Sequence, residues 1–182
     1  MDKNILEGQL RECYGRVVYT HKTHEKCADI LQHKLNCMKN LQLVLLTITT
    51  GSFIATIIGD AKIGAIIGSI LSAILLFLNS YLKDYDLGTL AQKHRQAAGE
   101  IWLIRERYLS LLTDLKMQSK SIEEITKERD TLMLELSSIY SGAPSTNYQA
   151  YSMAQKALKE LEDMTFSDDE LDKFLPNELK RK

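Results

Sequence analysis

Histidines and cysteines near the N-terminus are the residues of this sequence best suited to metal chemistry, because zinc prefers imidazole nitrogen and thiolate sulfur as ligands. His33 and Cys37 lie one helical turn apart. His21, His24 and Cys27 instead step by threes, a spacing that drifts around a helix. The sequence offers no second ligand pair with an accepted spacing. We therefore expect these side chains to pack within a helical seam, and we predict no metal site.

A short acidic run near the C-terminus, SDDELD at residues 167–172, raises the alternative of calcium binding. The run lacks the glycine and the ligand spacing of a twelve-residue calcium loop. Acidic side chains are favourable at the N-terminus of any helix. We interpret the run as the start of a short helix, with Ser167 as its cap and Glu170 three residues later.

Signatures of catalysis are missing from the sequence. It contains no glycine-rich phosphate-binding loop and no nucleophile elbow. The net charge of -1 is too small to indicate direct nucleic-acid binding. Cys13, Cys27 and Cys37 lie in a segment that we expect to face the reducing cytoplasm, so no disulfide is expected. We predict a protein that is not an enzyme and that has no cofactor.

Hydroxyl, amide and carboxyl side chains could instead line a water-filled path for ions. They recur at helical spacing in and beside two uncharged stretches of the chain. Ser and Thr can also hydrogen-bond to their own helix backbone, and small polar residues are common wherever membrane helices pack. The residues by themselves favour packing over pore lining. The candidates for pore lining are Thr49, Ser52, Thr56, Asp60, Ser69, Ser72 and Asn79.

Small residues recur every four positions in the same stretches. Membrane helices associate through close packing, which small side chains permit. These ridges could join the two helices of one chain, or one chain to its neighbours. The candidates for helix packing are Gly51, Ala55, Gly59, Gly64 and Gly68.

The elements that position these residues are two uncharged runs, at 41–59 and 63–82. As a helix, each run spans roughly 28 Å, the thickness of a bilayer core. A soluble domain would have to surround two helices that are apolar on every side, and too few amphipathic helices remain for this. A secretory signal is excluded because the first run begins after a long charged segment. We predict a two-span transmembrane hairpin at 41–82.

The orientation of the hairpin follows from the lysines and arginines beside the spans. Lys34 and Lys39 precede the first span and Lys83 follows the second, whereas the short turn carries Lys62 alone. We therefore expect the turn outside, both termini in the cytoplasm, and a multi-pass protein of the inner membrane.

Residues 1–40 have the pattern of an N-terminal amphipathic cytoplasmic helix. Apolar and small residues alternate steps of four and three there, which is a heptad seam that needs a partner from downstream. The seam comprises Leu6, Leu10, Cys13, Val17, Thr20, His24, Cys27, Leu31, Lys34 and Met38.

Residues 83–182 have the pattern of a C-terminal cytoplasmic helical domain. A second seam runs from Leu87 to Leu115, with Trp102 and Leu109 expected to widen its apolar face. The third seam contains Ile122, Ile125, Arg129, Leu132, Leu136 and Ile139.

Turn and cap residues divide the rest of this C-terminal domain. Ser121 and Glu124 form a capping box at the start of the third seam, and Pro144 ends that helix. A further helix is expected at about Tyr148 to Met164. Since no strand-like alternation occurs anywhere, the predicted fold is all-α: a two-span hairpin with a bundle or coiled coil of the flanking helices.

The layout resembles the SLATT family, the SMODS and SLOG-associating two-transmembrane effector domains of bacterial conflict systems. The segments that carry the resemblance are RVVYTHKTHEKC at 16–27, the hairpin, HRQAAGEIWLIRERYLSLLTDL at 94–115 and FLPNEL near the end. The resemblance covers about Tyr14 to Leu179. Within the third segment we single out Trp102, Arg105, Tyr108 and Leu112 as a candidate cytoplasmic interface.

The resemblance implies a pore-forming effector that permeabilises the membrane when an antiviral defence system is triggered. Because a lone hairpin cannot enclose a channel, we expect a homo-oligomer in the lipid bilayer. Some members of the family accompany nucleotide synthetases and others accompany reverse transcriptases, so we expect a sensor partner from one of these systems, but the trigger does not transfer from the resemblance. Two alternatives remain open: a membrane-anchored coiled-coil scaffold without a pore, and a soluble four-helix protein. We expect Arg105 and Arg107 to form ordinary salt bridges on a helix surface.

Overall fold

Helices make up almost all of the chain in a computed structural model, which describes residues 3–59, 61–161 and 163–181. These described residues contain no β-strand, so the all-α prediction is confirmed. A 3-10 turn at Asn177–Leu179 follows the last α-helix. The helices are α1 (Lys3–Ile58), α2 (Ala61–Tyr85), α3 (Leu87–Met117), α4 (Ile122–Gly142), α5 (Tyr148–Lys159) and α6 (Asp168–Phe174).

The first helix, α1, has 56 residues. At 1.5 Å per residue it is roughly 84 Å long. It crosses the predicted boundary between residues 40 and 41 without a break, but its surroundings change there. Cys27 and Ala28 are buried against other helices, whereas Leu43 and Val44 are exposed. The same rigid helix therefore belongs to a packed bundle at one end and to an exposed apolar arm at the other.

The third helix, α3, supplies the partner that the N-terminal seam requires. It runs antiparallel to α1, since Gly88 lies beside Leu35 and His94 lies beside His24. α4 packs against α3. Burial of these apolar faces is the main source of stability for the bundle. The core of the bundle comprises Leu6, Leu10, Val17, Ile101, Ile104, Tyr108, Leu111, Leu115, Ile125 and Leu132.

Two residues of α3 do not lie where the heptad pattern placed them. Trp102 and Leu109 are 47% and 43% exposed. The apolar face of α3 is widened on its other side, by Ile104 and Leu111, which are buried. The reason is that α3 packs against both α1 and α4, and this second neighbour selects which side of the seam is covered.

Local cap signals are confirmed at the start of two helices. Ser121 and Glu124 exchange both hydrogen bonds of a capping box, and Ser167 accepts a hydrogen bond from the backbone N–H of Glu170. α4 ends at Gly142, shortly before Pro144.

The prediction that the fifth helix extends to about Met164 is wrong, because α5 ends at Lys159. The chain then bends, and Met164 has a left-handed backbone with a φ of 70°. Two contacts of this turn explain the bend. Asp163 lies 3.1 Å from the Nζ of Lys22 on α1, and the Sδ of Met164 accepts a hydrogen bond of 3.2 Å from Arg105 on α3.

Candidate functional site: the apolar hairpin

The second half of α1 packs antiparallel against α2. Near the bundle, the side-chain amide of Gln42 donates a hydrogen bond to the amide oxygen of Asn79. Towards the turn, Ser52 lies beside Gly68 and Thr56 lies beside Gly64. These pairs place the two arms in register along their whole length.

Gly64 and Gly68 form the closest approach between the two arms. A Cβ atom at Gly64 would lie 2.2 Å from the Oγ1 of Thr56 and 3.0 Å from the carbonyl oxygen of Ser52. A Cβ atom at Gly68 would lie 2.9 Å from the Oγ of Ser52. A larger side chain at Gly64 would press on the helix backbone of α1, whereas at Gly68 the hydroxyl of Ser52 would have to move. The structure thus places these two glycines within the arm-to-arm contact.

Of the other residues predicted to pack, Gly51 does not take part in this contact. Gly51 faces away from α2, and a Cβ atom there would meet nothing within 4 Å. Gly59 is exposed. The side chain of Ala55 lies outside what the structure describes, as does the whole of Asp60, one of the predicted pore-lining residues. Gly51 is therefore free to contact a neighbouring chain.

The hydroxyls of Thr49, Ser52 and Thr56 lie on the side of α1 that faces α2. Thr49 is only 5% exposed. Each hydroxyl donates to a backbone carbonyl of its own helix, at 2.7 to 2.8 Å. In a single chain these groups are therefore paired and covered.

Ser69 and Ser72 lie on the outer surface of α2 and are exposed. The hydroxyl of Ser69 donates to the carbonyl of Ala65 at 2.8 Å. On α1 the outward hydroxyls are Thr47 and Thr50, which sequence reasoning missed. The signal was ambiguous, because hydroxyls occur on several faces of α1 and the sequence does not state which face meets α2.

The remaining surface of the hairpin consists of large apolar side chains. Ile57 is 84% exposed, and Leu76 and Phe77 are each 69% exposed. By length and composition, the described residues contain one helix that could cross a membrane, in the range Lys62–Met117. This range contains most of α2 but not the first predicted span at 41–59. Exposed apolar surface of this extent marks a membrane or protein contact.

Lys34, Tyr81 and Tyr85, which we call the girdle, form a basic and aromatic cluster where the hairpin joins the bundle. The Nζ of Lys34 donates to the hydroxyl of Tyr81 at 3.0 Å and lies 5.4 Å from the centre of that ring. Tyr81 stacks on Tyr85, with the ring centres 4.4 Å apart. Aromatic rings and lysines are enriched at the interface between lipid and water. The girdle therefore marks a polar boundary at one end of the apolar arms.

The predicted cytoplasmic interface divides into buried and exposed members. Tyr108 is buried, and Leu112 packs against the same core. Burial and the nearby thiol of Cys13 raise the pKa of Tyr108 to about 12. Arg105 is half-buried and lies 2.7 Å from Glu106, whereas Trp102 is exposed. These four residues therefore do not share one surface.

Both predicted arginine salt bridges are confirmed. The Nη2 of Arg105 pairs with Glu106, the next residue along the chain. Arg107 pairs with Glu135 and so ties α3 to α4. Part-exposed pairs of this kind contribute little to stability, and their role is to orient the helix surfaces.

The histidines and cysteines of α1 do not converge. His33 and Cys37 contact each other at 3.5 Å on the surface. His24 instead pairs with His94, their Nδ1 atoms 2.9 Å apart in the buried contact between α1 and α3. Within the described part of the chain, no three His, Cys, Asp or Glu residues are grouped as metal ligands would be.

Comparison with known proteins yields one match. The profile of SMODS and SLOG-associating 2TM effector domain family 4 matches residues 6–170. This range includes α2 to α5, nearly all of α1, and every segment that carried the resemblance except FLPNEL, which lies beyond residue 170. No curated protein and no solved structure matches the chain. Because the match covers most of the sequence, the chain belongs to SMODS and SLOG-associating 2TM effector domain family 4.

Proposed function

We propose that this protein is a homo-oligomeric effector of the bacterial inner membrane, which permeabilises that membrane when a defence sensor is triggered. The family is one of effector domains with two transmembrane helices. The observation that carries the proposal is the exposed apolar hairpin. It is continuous with the bundle through α1, yet most of the large apolar side chains described there are exposed. Lipid is the natural partner for such a surface.

In this proposal both arms cross the bilayer, with the first span at 41–59 and the second at 63–82. Lys34, Lys39 and Lys83 lie on the cytoplasmic side with the bundle. The girdle at Tyr81 and Tyr85 sits at the inner interface, and the turn faces outward. Both termini are then cytoplasmic.

A pore requires several copies, because two helices cannot enclose a channel. The outward hydroxyls of Ser69 and Ser72 are available to line such a path, with Asn79 near its cytoplasmic end. Thr49, Ser52 and Thr56 face α2 within the single chain and are covered there. They would reach water only if α1 rotated against α2. We therefore assign the closed state to the hairpin as described, and the open state to a rearranged contact between its arms.

The length of α1 supports coupling between the bundle and the membrane. The same helix contacts α3 and α5 in the bundle and α2 in the hairpin. A rotation or shift imposed by a sensor on the bundle would pass directly into the first span, since no loop interrupts the helix. The sensor in this proposal belongs to a nucleotide-synthetase or reverse-transcriptase system. The proposed function includes neither catalysis nor direct binding of nucleic acid by this protein.

Leakage of a small dye from cells that express the protein tests this function. We expect Ser72→Leu to reduce leakage about tenfold or more, because an apolar side chain would exclude water from the proposed path. Ile70→Leu is the matched control, since residue 70 is an exposed apolar position on the same helix and keeps its character. Full leakage with Ser72→Leu would remove this residue from the pore.

Replacement of the hairpin by an unrelated two-span anchor separates a pore from a scaffold. A scaffold needs only a tether, so its biological effect would survive the exchange. We expect the exchange to abolish both leakage and toxicity. An intact effect after the exchange would contradict the pore.

Cysteine labelling tests the orientation. Cys37 is exposed close to the first span, whereas Cys27 is buried. In a background with Cys13→Ser and Cys27→Ser, we expect a membrane-impermeant thiol reagent to label Cys37 in inverted vesicles and not in spheroplasts. Lys62→Cys, in a background that also carries Cys37→Ser, should show the opposite pattern. Labelling of both positions from one side would rule out the two-span topology.

A further inference from the structure

The chain that follows α4 crosses α1 on the side away from α3, and we call this segment the strap. It comprises the loop at 143–147, α5, and the turn at Asp163 and Met164. Within the strap, α5 packs against α1. Three contacts trace its path over α1. From the start of the strap to its end they are Asn147 with Cys27, Tyr151 with Tyr19, and Asp163 with Lys22.

The directions of these contacts show how far the strap passes around α1. Successive residues of an α-helix point about 100° apart, so Cys27, Tyr19 and Lys22 cover roughly 140° of the circumference of α1. His24, which contacts α3, points outside this range. Thr23 points within it and is only 4% exposed. α1 is therefore covered by α3 on one side and by the strap on the other.

Both ends of the strap are fixed to α3. Its start continues from α4, which packs against α3. At its end, the guanidinium of Arg105 on α3 donates a hydrogen bond of 3.2 Å to the Sδ of Met164. The strap and α3 thus enclose α1 between them. While these contacts hold, α1 cannot rotate or shift far against α3.

The strap is held to α1 by little apolar surface. The buried residues of α5 are Ala150, Ala154 and Ala157, each of which contributes a single methyl group. The ion pair at its end is part-exposed, and such pairs add little stability. A helix of 12 residues is also marginal by itself. The strap should therefore open more readily than the rest of the bundle.

Opening of the strap would leave the bundle folded. No described residue of the strap belongs to the core, which residues of α1, α3 and α4 form. The strap can therefore leave α1 as a unit. Its departure would expose Thr23 and Cys27, which are buried while it is closed.

We infer that the strap holds α1 in the closed state, and that its release from α1 precedes any movement of α1 against α3. The release is a property of the bundle and can be measured without a pore. Its consequence for the membrane rests on the proposed function, because α1 continues without a break into the first span.

The thiol of Cys27 reports the release, because it is 1% exposed and lies against the start of the strap. The full-length protein with Cys13→Ser and Cys37→Ser, purified in detergent, would be treated with a maleimide. We expect Ala154→Leu to speed the labelling of Cys27 about fivefold or more, since leucine keeps α5 helical but overpacks its contact with α1. Ser152→Leu is the matched control, because Ser152 is exposed on α5 and should leave the rate unchanged.

A second variant acts on the other end of the strap. Asp163→Lys replaces the ion pair with Lys22 by a repulsion, and it should also speed the labelling of Cys27, about twofold or more. Asp169→Lys makes the same change of charge at an exposed residue outside the strap. Circular dichroism should show the helices retained in each variant. Unchanged labelling with both Ala154→Leu and Asp163→Lys would overturn the inference.

Dye leakage from cells that express the protein separates this inference from the proposed function. We expect Ala154→Leu to leak more than the wild type without a trigger, and Ser152→Leu to behave as the wild type. Faster labelling of Cys27 with no gain in leakage would show that the strap does not control the membrane activity. Exchange of the hairpin for an unrelated anchor tests the pore itself, so the two failures can be told apart.

Discussion

Isoleucine at position 64 is expected to abolish membrane leakage by this protein. The two arms of the hairpin approach most closely at Gly64, where even a Cβ atom would meet Thr56 at 2.2 Å and the backbone of Ser52 at 3.0 Å. Thr56 could turn its hydroxyl aside, but the carbonyl of Ser52 belongs to a helix backbone and cannot. Overpacking of a tight contact costs about 1–3 kcal/mol. A branched side chain of four carbons at Gly64 should therefore separate the arms.

Gly51 offers a matched control within the same hairpin. It is also a helical glycine in an apolar arm, yet a Cβ atom there would meet nothing within 4 Å. Gly51→Ile should leave the contact between the arms intact. Cross-linking reports this contact independently of any trigger. With Cys37 replaced by serine, cysteines at Gln42 and Asn79, whose side chains are hydrogen-bonded, should be joined by a short bifunctional thiol reagent readily with Gly51→Ile and several-fold more slowly with Gly64→Ile. Equal cross-linking in the two variants would show that the contact between the arms does not depend on Gly64.

Acidification is expected to destabilise the bundle, through the histidine pair between α1 and α3. His24 and His94 are each 3% exposed, and their Nδ1 atoms lie 2.9 Å apart, so one ring must donate and the other accept. Burial, followed by the neighbouring His94 and His21, lowers the pKa of His24 to about 4. Burial also lowers the pKa of His94. The folded protein therefore holds both rings neutral.

The sign of the pH dependence follows from proton binding. Below the ordinary pKa of 6.5 the unfolded chain takes up a proton at His24, whereas the folded chain does so only near pH 4. The contribution of His24 to the free energy of unfolding should therefore be complete above pH 6.5 and be lost between pH 6.5 and pH 4. For His24 alone the loss between pH 7.5 and pH 5 is about 2 kcal/mol.

Other charged groups near the pair modify this dependence without reversing it. His21 also has a lowered pKa, owing first to burial, with Glu25 opposing the shift and Arg105 and Lys22 adding to it. Glu106 of α3 opposes the shift as well, and Asp163 pairs with Lys22 from the turn after α5. The lowered pKa values of His21, His24 and His94 therefore all make the free energy of unfolding decrease as the pH falls.

Denaturant unfolding of the detergent-solubilised protein at several pH values measures this effect. His24→Leu with His94→Leu is the informative variant, because it replaces the pair with apolar side chains that do not titrate. We expect this variant to lose most of the dependence between pH 7.5 and pH 5. His33→Leu serves as the control, since His33 is exposed and should leave the dependence unchanged. The same slope in the double variant would assign the effect to other groups.

Much of the fold could be predicted because it depends on short segments. Ser121, Pro144 and Ser167 act on neighbouring backbone groups, so caps and helix ends near them were correct. The seam of α4 and the seam of α1 from Leu6 to Leu31 were also correct, since a stripe at helical spacing must be buried whatever covers it. Lys34, placed in the α1 seam, is instead exposed and contacts Tyr81. The predicted end of α5 was wrong because Asp163 and Met164 contact residues far away in the chain, Lys22 and Arg105.

The candidate site was predicted less completely. Glycines and hydroxyls identified the hairpin as a place of close packing, but Gly51 and Gly64 look alike in the sequence and have opposite surroundings. Likewise, Thr47 and Thr50 lie on the outer side of α1, whereas Thr49 is covered by α2. The rotation of α1 against α2 decides which of these residues face the other arm and which lie on the outside.

The sequence alone determined the helical class of this protein, the two uncharged arms and the seams that pair the remaining helices, because spacing and side-chain chemistry act along the chain. Only the tertiary structure decided which face of each arm is inward, that His24 meets His94 and that the strap crosses α1 from Cys27 to Lys22. These features depend on contacts between residues far apart in the chain. Such contacts are selected by the fit of whole helix surfaces, which no single segment encodes.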